Sequence, residues 1–180
     1  CRMIATNKTS ADWIAVEQAH TAHNYHPLPV VLEKASGIYA WDVEGKKYID
    51  CLAAYSAVNQ GHCHPKITEA LIKQAQQLSL TSRAFYSRAF AAFTEYITDY
   101  FGFDRFLPAN TGVEAVEAAM KLCRKWAYQV KGLAENKAKI IVCRNNFHGR
   151  TITVISASSD ETARAEFGPF TPGFVQIPFN

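Results

Sequence analysis

The chain has 180 residues, of which 48% are hydrophobic, 19% charged and 12% aromatic; a chain of this size buries about 70% of its unfolded surface, so its core requires neither disulfide nor metal staple. Nineteen Lys and Arg against sixteen Asp and Glu leave a net charge of +3, too small and too scattered for an electrostatic nucleic-acid footprint. No run of about 18 apolar residues reads as a membrane span, and no basic start followed by an apolar stretch reads as a secretory signal, so the expectation is an intracellular protein with neither membrane nor nucleic acid as partner.

The first thirty or so residues are rich in aromatic and His residues, and the Pro27-Leu28-Pro29 step enforces extended backbone, which suggests an arm lying on something else. Ile38 to Val43 and Lys46 to Asp50 are rich in β-branched and aromatic residues and flank Glu44-Gly45, the pattern of a hairpin. Three helices are predicted next. Pro65 starts one, carried by Ile67, Leu71, Ala75 and Leu78, and a second runs from Arg88 to Phe101 before Gly102. The third places Val113, Val116, Met120, Cys123, Ala127 and Val130 on one stripe. Glu114 and Glu117 lie early in it, and Lys121, Arg124, Lys125 and Lys131 late, before Gly132. Ile140 to Cys143 and Ile152 to Ile155 are short apolar runs that read as strands buried on both faces, so the expected class is α/β. Phe174 to Asn180 reads as a further strand. With no closing helix or polar tail it would leave a raw sheet edge, and the expectation is that more protein follows.

Asn110-Thr111-Gly112-Val113-Glu114 puts polar caps and a glycine before the strongest helix. Open main-chain N–H groups and the positive helix end suit a phosphate there, while the plainer reading is an ordinary Asn or Thr cap. The Walker A pattern and the Rossmann glycine triplet are absent, which argues against a triphosphatase or a nicotinamide enzyme. After Cys143 come Phe147, His148 and Arg150, at the carboxyl end of a predicted strand, where open α/β sheets bind ligands. Arg150 could grip a carboxylate and Phe147 could lie against a flat heterocycle; a core aromatic and a solvated charge are the plain alternatives. His20, His23, His26 and the His62-Cys63-His64 triplet contain good zinc ligands. The first three fall in a proline-containing arm and the triplet alternates direction too tightly for one tetrahedral ion, so no metal site is expected. Cys1, Cys51, Cys63, Cys123 and Cys143 show no CxxC and read as small apolar fillers in a reducing compartment. Asn7-Lys8-Thr9 matches a glycosylation acceptor without an export signal to give it meaning.

Several longer runs are specific in combination. His23 to Val30, Trp41 to Gly45, Tyr55 to Lys66, Asn110 to Ala115, Phe147 to Thr151 and Phe167 to Phe170 occur in the order in which they closely resemble the ornithine aminotransferases, class III enzymes of fold type I that use pyridoxal phosphate. The likeness extends from about Tyr25 onward. It implies an aspartate-aminotransferase-like α/β fold, present in part: an arm and hairpin segment over 1–54, then the first part of the large cofactor-binding domain over 55–180. It implies that Thr111, Gly112 and Val113 bind the pyridoxal 5'-phosphate phosphate and that Phe147 stacks on its ring. Arg150 and the Tyr25 hydroxyl would hold the α-carboxylate, and Tyr55 would shape the pocket that turns the δ-amine toward the cofactor. The implied reaction carries that amine from ornithine to 2-oxoglutarate, giving glutamate semialdehyde and glutamate, in a homodimer of the cytoplasm or mitochondrial matrix.

The family's Schiff-base lysine and the aspartate that pairs with the ring nitrogen fall later than Asn180, and none of the eleven lysines matches that motif. The chain alone is therefore expected to be inactive, with no catalytic residue of its own. Two alternatives remain open: another class III aminotransferase, acting on 4-aminobutyrate or acetylornithine, against which Tyr25 and Tyr55 speak, and a non-catalytic fragment acting as a dimerisation module.

Overall fold

Thr9 opens the first element by a reciprocal cap: its hydroxyl accepts the Asp12 N–H at 3.3 Å and its own N–H donates to the Asp12 carboxylate at 2.9 Å. Helix α1 (Ser10–His20) follows, where the sequence suggests only an extended arm. The Ser10 N–H and hydroxyl both donate to the Glu44 carboxylate at 2.6 Å, tying this helix start to the turn of a hairpin. The structure, a computed structural model, describes residues 8–180; Cys1 and Asn7 lie outside the described residues. Compact units extend to Tyr86 and from Ser87 onward.

In the first unit, β1 (Leu32–Ser36), β2 (Tyr39–Asp42) and β3 (Lys47–Ile49) form an antiparallel sheet in that order. The expected hairpin is β2–β3, and β1 is an addition to it. Asp42, buried at its end, accepts the N–H groups of Glu44 and Lys46 and the Tyr48 hydroxyl at 2.7–3.1 Å, while Gly45 takes the left-handed backbone the turn needs. Gly37 and His62 exchange main-chain hydrogen bonds at 2.9 and 2.8 Å. A side chain at Gly61 would press on the Gly37 backbone at 3.1 Å, and the φ of +89° there favours glycine.

Between these points lies a short turn, α2 (Ala53–Ser56), in which all four residues have positive φ, from +49° to +71°. Left-handed helical backbone costs roughly 1–2 kcal/mol for each L-residue carrying a Cβ. Consecutive alanines and a tyrosine held this way must be over-determined by their surroundings. Helix α3 (Pro65–Gln77) begins on the first-turn proline as expected, with Ile67, Leu71 and Ile72 exposed.

The second unit starts with α4 (Arg88–Phe101), stopped by left-handed Gly102, and α5 (Gly112–Gln129). Met120 is the buried residue of the predicted α5 stripe; Cys123, like Cys51 and Cys63, is exposed rather than filling a core. The last turn of α5 carries no basic residue. Lys131 lies beyond it, and the Arg124 guanidinium is spent on the Pro172 carbonyl at 2.7 Å. Strands β4 (Ile140–Cys143) and β5 (Phe174–Ile177) pair in parallel, Ile140 opposite Phe174. One face of β4 carries the buried Val142, but Ile141 is 65% exposed, so the strand is not covered on both sides here.

The segment predicted as a second buried strand is instead α6 (Ile152–Ser156). Its β-branched residues favour a strand locally, and tertiary bonds override them. The Ser156 hydroxyl donates to the Ile152 carbonyl at 2.6 Å and accepts the Thr171 N–H at 2.9 Å. Arg164, at the end of α7 (Glu161–Arg164), donates to the carbonyls of Ile155, Ser156 and Ser158. With its exit so satisfied, α6 buries Val154 and Ile155, which with Met120, Ala138, Val142 and Ala157 are the buried apolar residues described in this unit.

Candidate functional site

The start of α5 divides its N–H groups between two tasks. Thr111 caps the helix, its hydroxyl accepting the Glu114 N–H at 3.3 Å. The Glu114 carboxylate reaches back to the N–H groups of Asn110 at 2.7 Å and Thr111 at 3.2 Å. The Gly112 and Val113 N–H groups have no partner among the described residues. A Cβ built on Gly112 would meet nothing within 4 Å, so the approach to these two donors is open. Both point out of an 18-residue helix at its positive end, an arrangement suited to a phosphate.

The segment after β4 packs directly on this helix start. Gly149 has φ +131° and lies so close to Val113 that an added Cβ would sit 2.5 Å from its Cγ2 and 2.7 Å from its Cβ. Two residues on, the Thr151 hydroxyl donates to the Glu117 carboxylate at 2.6 Å. The other end of the segment is held by Asn146, whose side-chain amide donates to the carbonyls of Cys143 at 2.6 Å and Ala157 at 2.9 Å. Between these anchors the Phe147 ring is 77% exposed, available to a planar partner, and the Nδ1 of His148 is buried without a hydrogen-bond partner. The predicted Thr111, Gly112 and Val113 and the Phe147 to Arg150 segment are thus brought together in one unit.

Tyr25 and Tyr55 belong to the other unit. Tyr25 lines an open cleft of about 750 Å³ with Ile14, Glu17 and Gln18 of α1 and the Pro27-Leu28-Pro29 step. Tyr55 stands on the left-handed turn, largely exposed. That turn is tied at its start by Asp50, which accepts the N–H groups of Leu52 and Ala53, both at 2.9 Å, through one carboxylate oxygen and meets His62 Nε2 at 2.7 Å through the other. The Ala53 N–H, the His62 ring and the Leu52 N–H hold the Asp50 carboxyl below its ordinary pKa. The His62 ring is therefore engaged by a carboxylate, and among the described residues no group of three or more His, Cys, Asp or Glu is arranged for a metal ion.

Residues 20–180 match the family model described as aminotransferase class-III. The chain belongs to this family. Among its relatives, the mitochondrial ornithine aminotransferase of Drosophila ananassae is 57% identical over 176 residues, covering 98% of this chain and 41% of the relative. The ornithine aminotransferase structure from Toxoplasma gondii, which holds PLP at partial occupancy in its active site, superimposes with a TM-score of 0.94 at 45% identity, over 96% of this chain and 40% of that one. An acetylornithine aminotransferase from Elizabethkingia anophelis matches with a TM-score of 0.81 at 60% identity, over 96% and 41% of the two chains. The chain thus spans about two fifths of the length of these relatives, and its α/β architecture is that part of the fold-type I transferase fold of this family.

Within this class-III aminotransferase segment, the sequence presents Glu114 and Glu117 as charges suited to a helix start, and His62 as a poor metal ligand better explained by capping or hydrogen bonding. The Thr111-x-x-Glu114 spacing is a capping-box signature that identifies the first. No local pattern joins Glu117 to Thr151, 34 residues away, or His62 to Asp50.

Proposed function

We propose that this chain supplies the phosphate- and ring-binding part of an ornithine δ-aminotransferase, which transfers the δ-amino group of L-ornithine to 2-oxoglutarate to give glutamate 5-semialdehyde and glutamate. The observation that supports this reading is the close contact of Gly149 with the Val113 side chain, by which the segment carrying Phe147 and Arg150 packs on the start of the helix with the two open donors. Those donors, the Thr111 hydroxyl and the open space beside Gly112 fit the phosphate of pyridoxal 5'-phosphate. That cofactor, when bound, supplies the electron sink for amino-group transfer.

The chain's own residues then bind and orient. Gly112 and Val113 donate main-chain hydrogen bonds to phosphate oxygens, and Phe147 covers one face of the ring. Arg150 takes the substrate α-carboxylate through paired hydrogen bonds, with the Tyr25 hydroxyl as a further donor, so that the distal amine is the end presented for reaction. Tyr55 limits the room on that side. The functional division we propose runs from an arm and hairpin segment, 1–54, to the first part of the large cofactor-binding domain, 55–180. The assembly is a homodimer, located in the cytoplasm or the mitochondrial matrix.

The similarity to an acetylornithine aminotransferase favours a second reading, in which the preferred donor is N-acetylornithine. Steady-state kinetics of the full-length enzyme with both donors separates the two: a higher kcat/KM for N-acetylornithine selects the second. The site assignment is tested by Arg150→Ala. Removing a cation that pairs with a buried carboxylate is expected to lower kcat/KM for ornithine roughly 10²- to 10³-fold, while the visible absorbance of cofactor retained after gel filtration stays near that of the parent. Equal loss of both overturns the assignment.

A further inference from the structure

We infer that Asp50 and His62 form a latch that holds the left-handed turn Ala53–Ser56 and so fixes the direction in which Tyr55 meets the substrate; the inference rests on the proposed role of Tyr55. The turn cannot owe its shape to its own residues, because Ala53, Ala54, Tyr55 and Ser56 all sit at positive φ without a glycine among them. Asp50 supplies the missing constraint. One of its oxygens receives both the Leu52 and Ala53 N–H groups, which sets the chain direction as the turn begins. Its other oxygen is held by His62.

His62 is itself immobilised. Its N–H and carbonyl both pair with Gly37 at the β1–β2 turn, and Gly61, at φ +89°, lets the two backbones approach so closely that an added Cβ would lie 3.1 Å from the Gly37 Cα. The turn is closed behind Tyr55 by the Val58 N–H to the Ala53 carbonyl at 3.1 Å and the Ser56 N–H to the Leu52 carbonyl at 3.3 Å. The sheet therefore sets His62, His62 sets Asp50, and Asp50 sets the backbone carrying Tyr55. Strained backbone of this kind persists only where its surroundings over-determine it, and it clusters at binding and catalytic sites. Asp50 and His62 touch no reacting atom in this scheme; they are positioning residues for the donor pocket.

The test is a double-mutant cycle between Asp50→Ala and Tyr55→Ala in the full-length enzyme, using ornithine and 4-aminobutyrate as donors. Asp50→Ala is expected to raise KM for ornithine about tenfold, as small misplacements of positioning groups do, and to lower the ornithine preference over 4-aminobutyrate in the direction of Tyr55→Ala. The double variant should be no worse than Tyr55→Ala alone. Asp50→Asn, which keeps the accepting oxygen for Leu52 and Ala53 but replaces the oxygen that meets His62 with an NH2 group, should restore only part of the preference. Ala54→Gly, which relaxes the positive φ, should recover part of it in the Asp50→Ala background. Additive effects, or equal loss with both donors, overturn the latch. Hydrogen exchange at the Leu52 and Ala53 amides gives a reading independent of activity: exchange unchanged by Asp50→Ala overturns the latch, whereas faster exchange without any ornithine turnover by the parent enzyme overturns the assignment of Tyr55 and leaves the latch standing.

Discussion

The two units place their candidate binding residues by opposite means. In residues 87–180 the donors come from a regular helix start, and the loop after β4 is packed on that start through a glycine against the Val113 side chain and one side-chain hydrogen bond. In residues 8–86, Tyr55 stands on backbone that disfavours every residue in it and is held from outside by Asp50 and His62. An anion cup can be made from ordinary secondary structure because N–H groups at a helix start are unpaired anyway. A side chain that must face one particular way across a pocket needs a constraint that regular structure does not supply. The first kind of site should therefore fail through lost packing and the second through lost direction.

The largest effect is expected at Gly149. Alanine there meets the Val113 side chain at 2.5 Å in a backbone conformation open to glycine, so the helix start and the loop must separate. Strain and overpacking together are expected to cost about 3 kcal/mol in urea unfolding and to weaken pyridoxal phosphate binding by roughly two orders of magnitude at that energy. Val113→Ala in the same chain should recover part of both losses, because Cγ2 is the nearer clash. Independent effects of the two substitutions would mean that the contact does not position the loop.

Glu117 sharpens the comparison at smaller scale. Its bond to Thr151 joins α5 to the start of α6, beyond the phosphate-facing turn. Glu117→Ala leaves the Thr151 hydroxyl without its acceptor and should cost about 1–2 kcal/mol, seen as a rise of roughly tenfold in the Kd for pyridoxal phosphate. Glu117→Gln keeps an acceptor oxygen and should stay close to the parent. Thr151→Val should copy Glu117→Ala, and the pair combined should add little. A Glu117→Gln variant as weak as Glu117→Ala would assign the effect to charge rather than to the bond.

What could be read from the residues follows the same divide. The hairpin over Tyr39–Ile49, the helices beginning at Pro65, Arg88 and Gly112, and the parallel strands at Ile140 and Phe174 are all set by local chemistry: turn glycines, first-turn proline, apolar spacing. The open donors at Gly112 and Val113 were equally legible, since a helix start exposes them wherever it occurs. Residues 152–155 misled because Ile, Thr, Val and Ile favour a strand, and the carbonyls that make them a helix are satisfied by Arg164 and Ser156 from outside the run. The left-handed turn at Ala53–Ser56 carries no glycine and no other local sign, because its cause lies in Asp50 and, through it, in His62. Helix α1 is signalled locally only by the cap spacing of Thr9 and Asp12, while the prolines that follow it favour extended backbone.

The smallest effect separates the units by pH. In the first unit Asp42, chiefly through the Tyr48 hydroxyl, Glu44 through the Ser10 hydroxyl, Asp12 through the Thr9 N–H and Asp50 through the Ala53 N–H are all held below the ordinary carboxyl pKa. The unfolded chain binds protons at these groups more readily than the folded one, so their contribution is complete above the ordinary value near pH 4 and is lost as pH falls through the lower folded values. Trp13 and Trp41 report on this unit and Trp126 on the other. Single-tryptophan variants retaining Trp41 should therefore show fluorescence changes below about pH 4 that shrink when Asp42→Asn is added, because the amide no longer titrates and the Tyr48 bond loses its charge. Because Asp42 is one of four such carboxylates and the other three are more exposed, the shift in the acid midpoint should be a few tenths of a pH unit. An acid midpoint at Trp41 that Asp42→Asn leaves unmoved would show that the hairpin turn is held by its backbone geometry, with the carboxylate contributing nothing of its own.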